Sequence, residues 1–310
     1  MAVSVPAELV AVTGATGFVG SALVDRLRLR GHEVRALARR PQKRREGVEW
    51  IAGDLADRAA LARLIDGASL VIHVAGVVNA PDAAGFEAGN VAGTLNVIEE
   101  AAHAGVSRFV LVSSLSARQP QLSAYGASKQ RAEQLVRASG LDWTIVRPPA
   151  IYGPRDTEVF ELFKLARRGF VPLPPEGHLS VIHVDDLARL LLALIPGGEE
   201  VTRQVFEPDD GRAGGWKHSE FARAIGWAMG RRIVPLHLPP WMLRAGARAD
   251  GLVRGKRAKL TADRVSYMCH PDWRVTEEGR VPEGLWKPKV PTREGLRSAA
   301  DWYRLNGWLT

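Results

Sequence analysis

The chain has 310 residues, 46% of them hydrophobic and 25% charged, a globular balance that argues against a disordered or fibrous protein. Its one cysteine, Cys269, excludes an internal disulfide and fits a reducing, cytoplasmic setting, and no Cys/His cluster has ligand spacing, so no metal is expected. The formal charge is +8, with basic clusters at residues 39–45, 231–232 and 254–259 that read as solvated faces or as attractors of phosphate, acidic lipid or nucleic acid.

Residues 1–12 run straight into a strand and lack the pattern of a signal peptide. Leu9–Thr13 is a Val-rich apolar run and predicts the first strand. Ser21–Arg30 has helical spacing and is closed by Gly31. Strands are predicted at 33–38 and 49–53, an amphipathic helix at 58–65 and a strand at 69–74. A helix over 90–104 ends at Gly105. A strand at 109–113, a helix at 127–139 and a strand at 143–147 follow. The longest apolar stretch, Leu190–Pro196, falls far short of the ~20 residues of a membrane span, and none is expected.

Short apolar strands alternating with helices imply right-handed βαβ crossovers and a parallel sheet covered on both faces. The expected fold is doubly wound α/β. After Ile151 prolines become frequent, and six of the nine tryptophans lie beyond residue 220. The expected division is a nucleotide-binding domain over 1–153, with 180–196 returning to it. A smaller, irregular substrate lobe is expected over 154–179 and 197–310.

The loop Gly14-Ala15-Thr16-Gly17-Phe18-Val19-Gly20 joins the first strand to the first helix. Glycine is needed where φ is positive or where the backbone must approach a ligand. The helix N-terminus beyond offers free N–H groups to a pyrophosphate. The second strand ends Ala38-Arg39-Arg40, where an NAD site usually carries an acid for the ribose hydroxyls. An arginine there suits a 2′-phosphate, so NADP(H) is expected rather than NAD(H), with Arg39 the first candidate and Arg40 the second. Asp54-Leu55 reads either as an adenine contact or as the Asp N-cap of the next helix. Ala75 and Gly76 end the fourth strand and would let a cofactor pass close. His73, just before them, reads as structural.

Ser113-Ser114 lies at the carboxyl end of the fifth strand, where ligands of open α/β sheets bind. Tyr125 and Lys129 are four apart and share a helical face. A phenol beside an ammonium and a nicotinamide ring is expected to have its pKa lowered from ~10 toward the operating range. It could then exchange a proton with a substrate oxygen that Ser114 also touches.

With these residues in place the sequence resembles the extended or atypical branch of the short-chain dehydrogenase/reductases, a family of NAD(P)-dependent epimerases, dehydratases, hydroxysteroid dehydrogenases and dihydroflavonol-type reductases. The similarity spans nearly the whole chain. It rests on the glycine loop, Asp54-Leu55, residues 73–76, Asn90–Thr94, Ser113-Ser114, Tyr125…Lys129, the stretch Arg147–Pro154 and His183–Ala188. The resemblance implies a Rossmann sheet, a ribose-holding role for Lys129, a supporting role for Asn90, and a nicotinamide end lined by Pro148 and Ile151. It also implies a possible homodimer through the helix at 127–139. His183–Asp186 reads as a joint between lobes.

The sequence departs from the nucleotide-sugar members. Only eleven residues separate Ser114 from Tyr125, and no arginine stands in 178–182. The leading expectation is therefore an NADP(H)-dependent oxidoreductase acting on a carbonyl or alcohol of a small apolar or aromatic substrate. Trp216, Trp241 and Trp273 are its candidate pocket residues. The alternatives are a nucleotide-sugar epimerase or dehydratase and a non-catalytic NADPH-binding assembly or regulatory protein. No nucleic-acid recognition motif appears.

Overall fold

Strands that are apolar on both sides need cover above and below, and the first half of the chain supplies it with helices between strands. The structure is a computed structural model that describes residues 7–255 and 258–309. Residues 1–6 and the Lys256-Arg257 part of the third basic cluster lie outside the described residues.

In chain order the first half forms β1 (Leu9–Thr13), α1 (Phe18–Leu29), β2 (Glu33–Ala38), β3 (Val48–Ala52), α2 (Arg58–Ile65), β4 (Leu70–His73), α3 (Ala83–Phe86), α4 (Gly93–His103), β5 (Arg108–Val112), α5 (Ala124–Ala138) and β6 (Asp142–Val146). The second half forms β7 (Ala150–Tyr152), α6 (Val159–Ala166), β8 (Phe170–Leu173), β9 (His178–Leu179), β10 (Val181–His183), α7 (Val184–Ala193), β11 (Gln204–Phe206), β12 (Trp216–Lys217), α8 (His218–Ala228), β13 (Val234–His237), α9 (Pro240–Arg254), α10 (Ala262–Met268), β14 (Asp272–Trp273) and α11 (Thr292–Leu305).

The main sheet has seven strands in the order β11-β6-β5-β4-β1-β2-β3. Every neighbouring pair is parallel. Alternation along β1 sends Val10 and Val12 to one face and Ala11 to the other. The first face packs on α1 and α7 through Leu23, Leu27, Leu187 and Leu191. The second packs on α2, α4 and α5 through Leu61, Val97 and Val136. A separate core in the second half gathers Phe163, Val171, Phe221, Leu296 and Tyr303.

The chain leaves β1 toward β2 and β3, then crosses back to β4. The order therefore switches between β1 and β4, and the crevice beyond their carboxyl ends is the place where such sheets hold ligands.

Two local differences from the sequence reading have clear causes. Gln204–Phe206, expected in the second lobe, is the edge strand of the main sheet, and Phe206 joins the first core. Three residues are too few to show a period. The helix expected over 90–104 begins instead as a π-helical turn, Glu87–Ala92, before α4. Such turns often mark functional sites.

The joint at residues 183–186 is well tied. His183 caps α7, Asp185 pairs with Arg26 of α1, and Asp186 accepts from the Lys289 and Val290 amides, both at 3.0 Å.

Candidate active site

The glycine loop turns where the crevice opens. Gly14 has φ of +72°, and a Cβ on it would meet the Ala75 nitrogen at 2.6 Å. A Cβ on Gly20 would meet the Gly14 carbonyl oxygen at 2.1 Å. Neither position accepts a side chain without moving backbone. Gly17 and Thr16 are exposed, Phe18 is half-buried, and Val19 leans on the first core. Gly17 begins α1 with no side-chain cap, so the first-turn N–H groups stay available. This is a cradle that fits a pyrophosphate.

Arg39 and Arg40 are exposed just after β2, and neither guanidinium has a protein partner among the described residues. Asp54 does not cap α2. Its carboxylate accepts from the Ala56 amide at 2.8 Å, and Asp57 is the cap, accepting from Ala60 at 2.9 Å. Leu55 packs against the start of α4, where a Cβ on Gly93 would meet its Cδ1 at 2.7 Å.

His73 is fully buried in a hydrogen-bond chain. Its Nδ1 lies 2.7 Å from the Thr13 hydroxyl and its Nε2 3.0 Å from the Thr94 hydroxyl, which donates to the Asn90 carbonyl at 2.6 Å. Thr94 therefore accepts from His73, so the ring carries its proton on Nε2 and accepts at Nδ1. Burial, with the nearby Lys129 charge, holds the His73 pKa down to about 3. The ring is neutral and structural.

Asn90 stands in the π-helical turn, buried. Its amide accepts from the Val77 N–H and donates to the Val77 carbonyl and to Ser128. Both N–H groups are spent, so Asn90 acts on the protein rather than on a ligand. A Cβ on Gly76 would come within 3.2 Å of its oxygen and 3.6 Å of the Lys129 nitrogen.

The Ser113-Ser114 doublet splits. The Ser113 hydroxyl donates to buried Glu133 at 2.6 Å, and its N–H goes to Val146. That side chain is turned away from a cofactor role and into an ionic network in which Glu133 also binds Arg147. Ser114, in extended backbone, stands near the Tyr125 phenol, and its hydroxyl donates to the Ser116 hydroxyl at 3.3 Å. Pro148 is buried beside them and accepts from the Leu115 amide at 3.1 Å, and Ile151 packs on the first core.

Ser123 caps α5 and sets Tyr125 in its first turn. The ring lies 5.9 Å from Phe86 and 6.4 Å from Tyr267, centroid to centroid. Asp263 of α10 accepts from the Ala124 amide at 2.6 Å and holds Tyr267 over the site. Burial pushes the Tyr125 phenol up to about 12, against the pull of the nearby Ser114 hydroxyl. The lowering expected from the sequence rests on a nicotinamide charge as well as on Lys129, whose ammonium donates to the Val112 carbonyl at 2.8 Å. Burial lowers the Lys129 pKa to about 8, with Glu133 holding against it.

The tryptophans do not line this site. Trp216 is buried in the second core with its N–H on Asp210, and Trp241 is exposed on α9. Trp273 donates to the Tyr267 carbonyl at 2.8 Å and so supports the site from behind. Phe86 and Tyr267 form the aromatic wall instead. Sequence reading missed both, because they stand far from Tyr125 in the chain.

A protein-family profile described as NAD(P)H-binding matches residues 14–195, more than half of the chain, including Gly14, Ser114, Tyr125 and Lys129. The ceramide reductase of Caulobacter vibrioides is 39% identical over 310 residues, covering 97% of this chain and 96% of its own. The chain belongs to the extended short-chain dehydrogenase/reductases. It is an enzyme of this NAD(P)-dependent oxidoreductase superfamily. A 2-alkyl-3-oxoalkanoate reductase of Stenotrophomonas maltophilia is 30% identical over 328 residues, covering 92% of this chain and 96% of its own. Among solved structures, MoeE5 in complex with UDP-glucose and NAD superposes with a TM-score of 0.74 at 23% identity, covering 96% of this chain and 99% of that one. At that identity the likeness shows the fold alone.

Proposed function

We propose that this enzyme is an NADPH-dependent reductase that converts a carbonyl on a ceramide-type lipid to an alcohol. The observation that carries the reading is the buried Tyr125 phenol, near Ser114 and walled by Phe86 and Tyr267. Apolar walls beside a proton donor suit an apolar ketone. The extent of the likeness to the Caulobacter reductase supports the lipid class.

Gly14, Gly17 and the first turn of α1 hold the pyrophosphate. Arg39, with Arg40 behind it, takes the 2′-phosphate. Asp54 and Leu55 face the adenine, and Ala75, Gly76, Lys129, Pro148 and Ile151 accommodate the nicotinamide half. Bound there, the reduced nicotinamide supplies the hydride. Ser114 donates to the substrate oxygen and Tyr125 delivers the proton to it, so one hydride and one proton turn C=O into CH–OH. Lys129 lends positive charge and holds ribose hydroxyls. Asn90 fixes the Val77 backbone and Ser128 and thereby the floor of the crevice.

A second cleft, of about 390 Å³, is lined by Arg118, Arg212, Arg274 and Arg280. Each arginine is already paired, with Glu207, Glu220, Asp272 and Glu277 respectively. Charges compensated in this way are poorly suited to a sugar-nucleotide diphosphate. The deciding experiment offers detergent-dispersed keto-lipid and UDP-glucose separately. Stoichiometric NADPH oxidation with the lipid is the expected result. Turnover of the sugar nucleotide without net cofactor change overturns the reading.

A further inference from the structure

The basic clusters beyond residue 230 have no part in the chemistry above. Between 231 and 259 the sequence carries eight Lys or Arg and a single acid, Asp250. That acid is occupied, pairing with Arg254 and accepting from the Lys259 and Leu260 amides.

The helix in this segment, α9, is apolar on its outer side. Leu243 and Ala247 face inward, in a small core with Val265 of α10. With 3.6 residues per turn, Trp241, Ala245, Ala249 and Leu252 fall along the opposite side, flanked by Met242 and Val253. Exposure there is extreme: Trp241 67%, Leu252 89% and Val253 83%. An ordinary surface helix turns such residues to the core. Arg244 and Arg248 border the stripe and are exposed. The strand just before α9, β13, and its partner β8 expose further apolar side chains. Val234 and Leu236 alternate onto one side of β13, Phe170 pairs with Val234 across the ribbon, and all three are exposed.

We propose that α9 and the β8–β13 ribbon form a membrane-docking surface that lies in the interface of an anionic bilayer. An apolar stripe edged by arginines, with a tryptophan at its start, is the pattern of an interfacial helix. The charge imbalance selects negatively charged headgroups. Among the described residues no helix is long and apolar enough to cross a membrane, so this surface lies on the bilayer. Docking also has a route to the site, because α9 packs on α10, and α10 carries Tyr267 against Tyr125. The inference stands on the surface itself and does not depend on the lipid-substrate reading.

The test is vesicle flotation of the full chain, without substrate or cofactor. One set of vesicles is phosphatidylcholine and the other contains about one-third phosphatidylglycerol. The paired variant is Leu252→Glu with Val253→Glu, both far out on the exposed side. Its fold is checked by thermal unfolding and by NADPH oxidation with a short, water-soluble ketone. The wild type floats with the anionic vesicles, and 0.5 M salt or neutral lipid lowers the bound fraction several-fold. The double variant binds about tenfold less or worse while keeping soluble-ketone turnover. Absence of flotation on either vesicle, or equal flotation of the variant, overturns the proposal. A wild-type dimer that the variant dissolves, without vesicle binding, overturns it in favour of a second copy of the chain. Flotation without keto-lipid turnover keeps the docking surface and removes the substrate reading instead.

Discussion

Asn90 grips Val77 through both of that residue's backbone polar groups: its Oδ1 accepts from the Val77 N–H at 2.6 Å and its Nδ2 donates to the Val77 carbonyl at 3.0 Å. The second amide hydrogen goes to the Ser128 hydroxyl at 2.9 Å, and Ser128 in turn donates to the Tyr125 carbonyl. One side chain thus joins the segment after β4 to the first turn of α5. It is a positioning group whose effect reaches the reacting atoms through others.

Asn90→Ala leaves the Val77 N–H and carbonyl without their partner. Unpaired polar groups in a part-buried place cost about 1–3 kcal/mol, so the variant unfolds at lower denaturant with an unchanged slope. At a temperature where it stays folded, kcat falls while the KM for substrate changes little. Unchanged kcat in a folded Asn90→Ala enzyme removes the positioning role.

Tyr125→Phe keeps the ring between Phe86 and Tyr267 and deletes the proton. Loss of a general acid costs about 10²–10⁴-fold in kcat. The Kd for NADPH, read by fluorescence, stays within a few-fold of wild type. A variant that retains more than a tenth of wild-type turnover rules out Tyr125 as the donor. The phenol also provides a direct optical check. With its pKa pushed up to about 12, the cofactor-free protein shows no Tyr125 phenolate absorbance at pH 10. Saturating oxidised cofactor, NADP+, places a positive nicotinamide ring nearby and lowers that value.

Arg39→Ala probes cofactor choice. The guanidinium stands exposed and unengaged among the described residues, so removing it disturbs no internal contact. A charge-assisted contact to phosphate contributes about 1.5–3 kcal/mol, equivalent to roughly tenfold or more in Kd. NADPH binding weakens by that factor, and NADH binding is unaffected. Equal weakening of both, or a wild-type preference for NADH, defeats the 2′-phosphate assignment.

What the sequence made legible follows the strength of its local signals. β1, β4, β5 and β6 are buried along nearly their whole length, β2 and the edge strand β3 less so, and all six start and stop within a residue or two of the pattern. Gly14 and Gly20 were readable because their neighbours leave no room for a Cβ. β11 was not readable, since three residues carry no period. Ser113 and Ser114 are identical in type, and only the chain's direction sends one hydroxyl to Glu133 and leaves the other on the Tyr125 side. The aromatic wall depends on contacts between residues 86, 125 and 267, which no spacing rule connects. The rise of the Tyr125 pKa comes from burial, which a four-residue spacing does not report.

His73 gives the protein a predictable acid sensitivity. Its pKa falls from 6.5 to about 3 because burial penalises the charged ring and the Lys129 charge lies nearby. The unfolded chain does take that proton. Between pH 6.5 and 3 the unfolded state therefore binds more protons, and stability present above 6.5 is lost as the pH falls. The limiting slope for one such group is about 1.4 kcal/mol per pH unit. Asp156 acts in the opposite sense over part of the range, since burial raises its pKa from 3.8 to about 6 and favours the folded state as acid is added. Comparing wild type with His73→Gln cancels the Asp156 contribution, because both proteins retain it. The glutamine amide can accept from Thr13 and donate to Thr94, so the variant folds with lower stability at pH 7. Its denaturant midpoint then changes less than that of wild type between pH 6 and 4.5. Parallel pH profiles for the two proteins contradict the assignment of a neutral, proton-refusing His73.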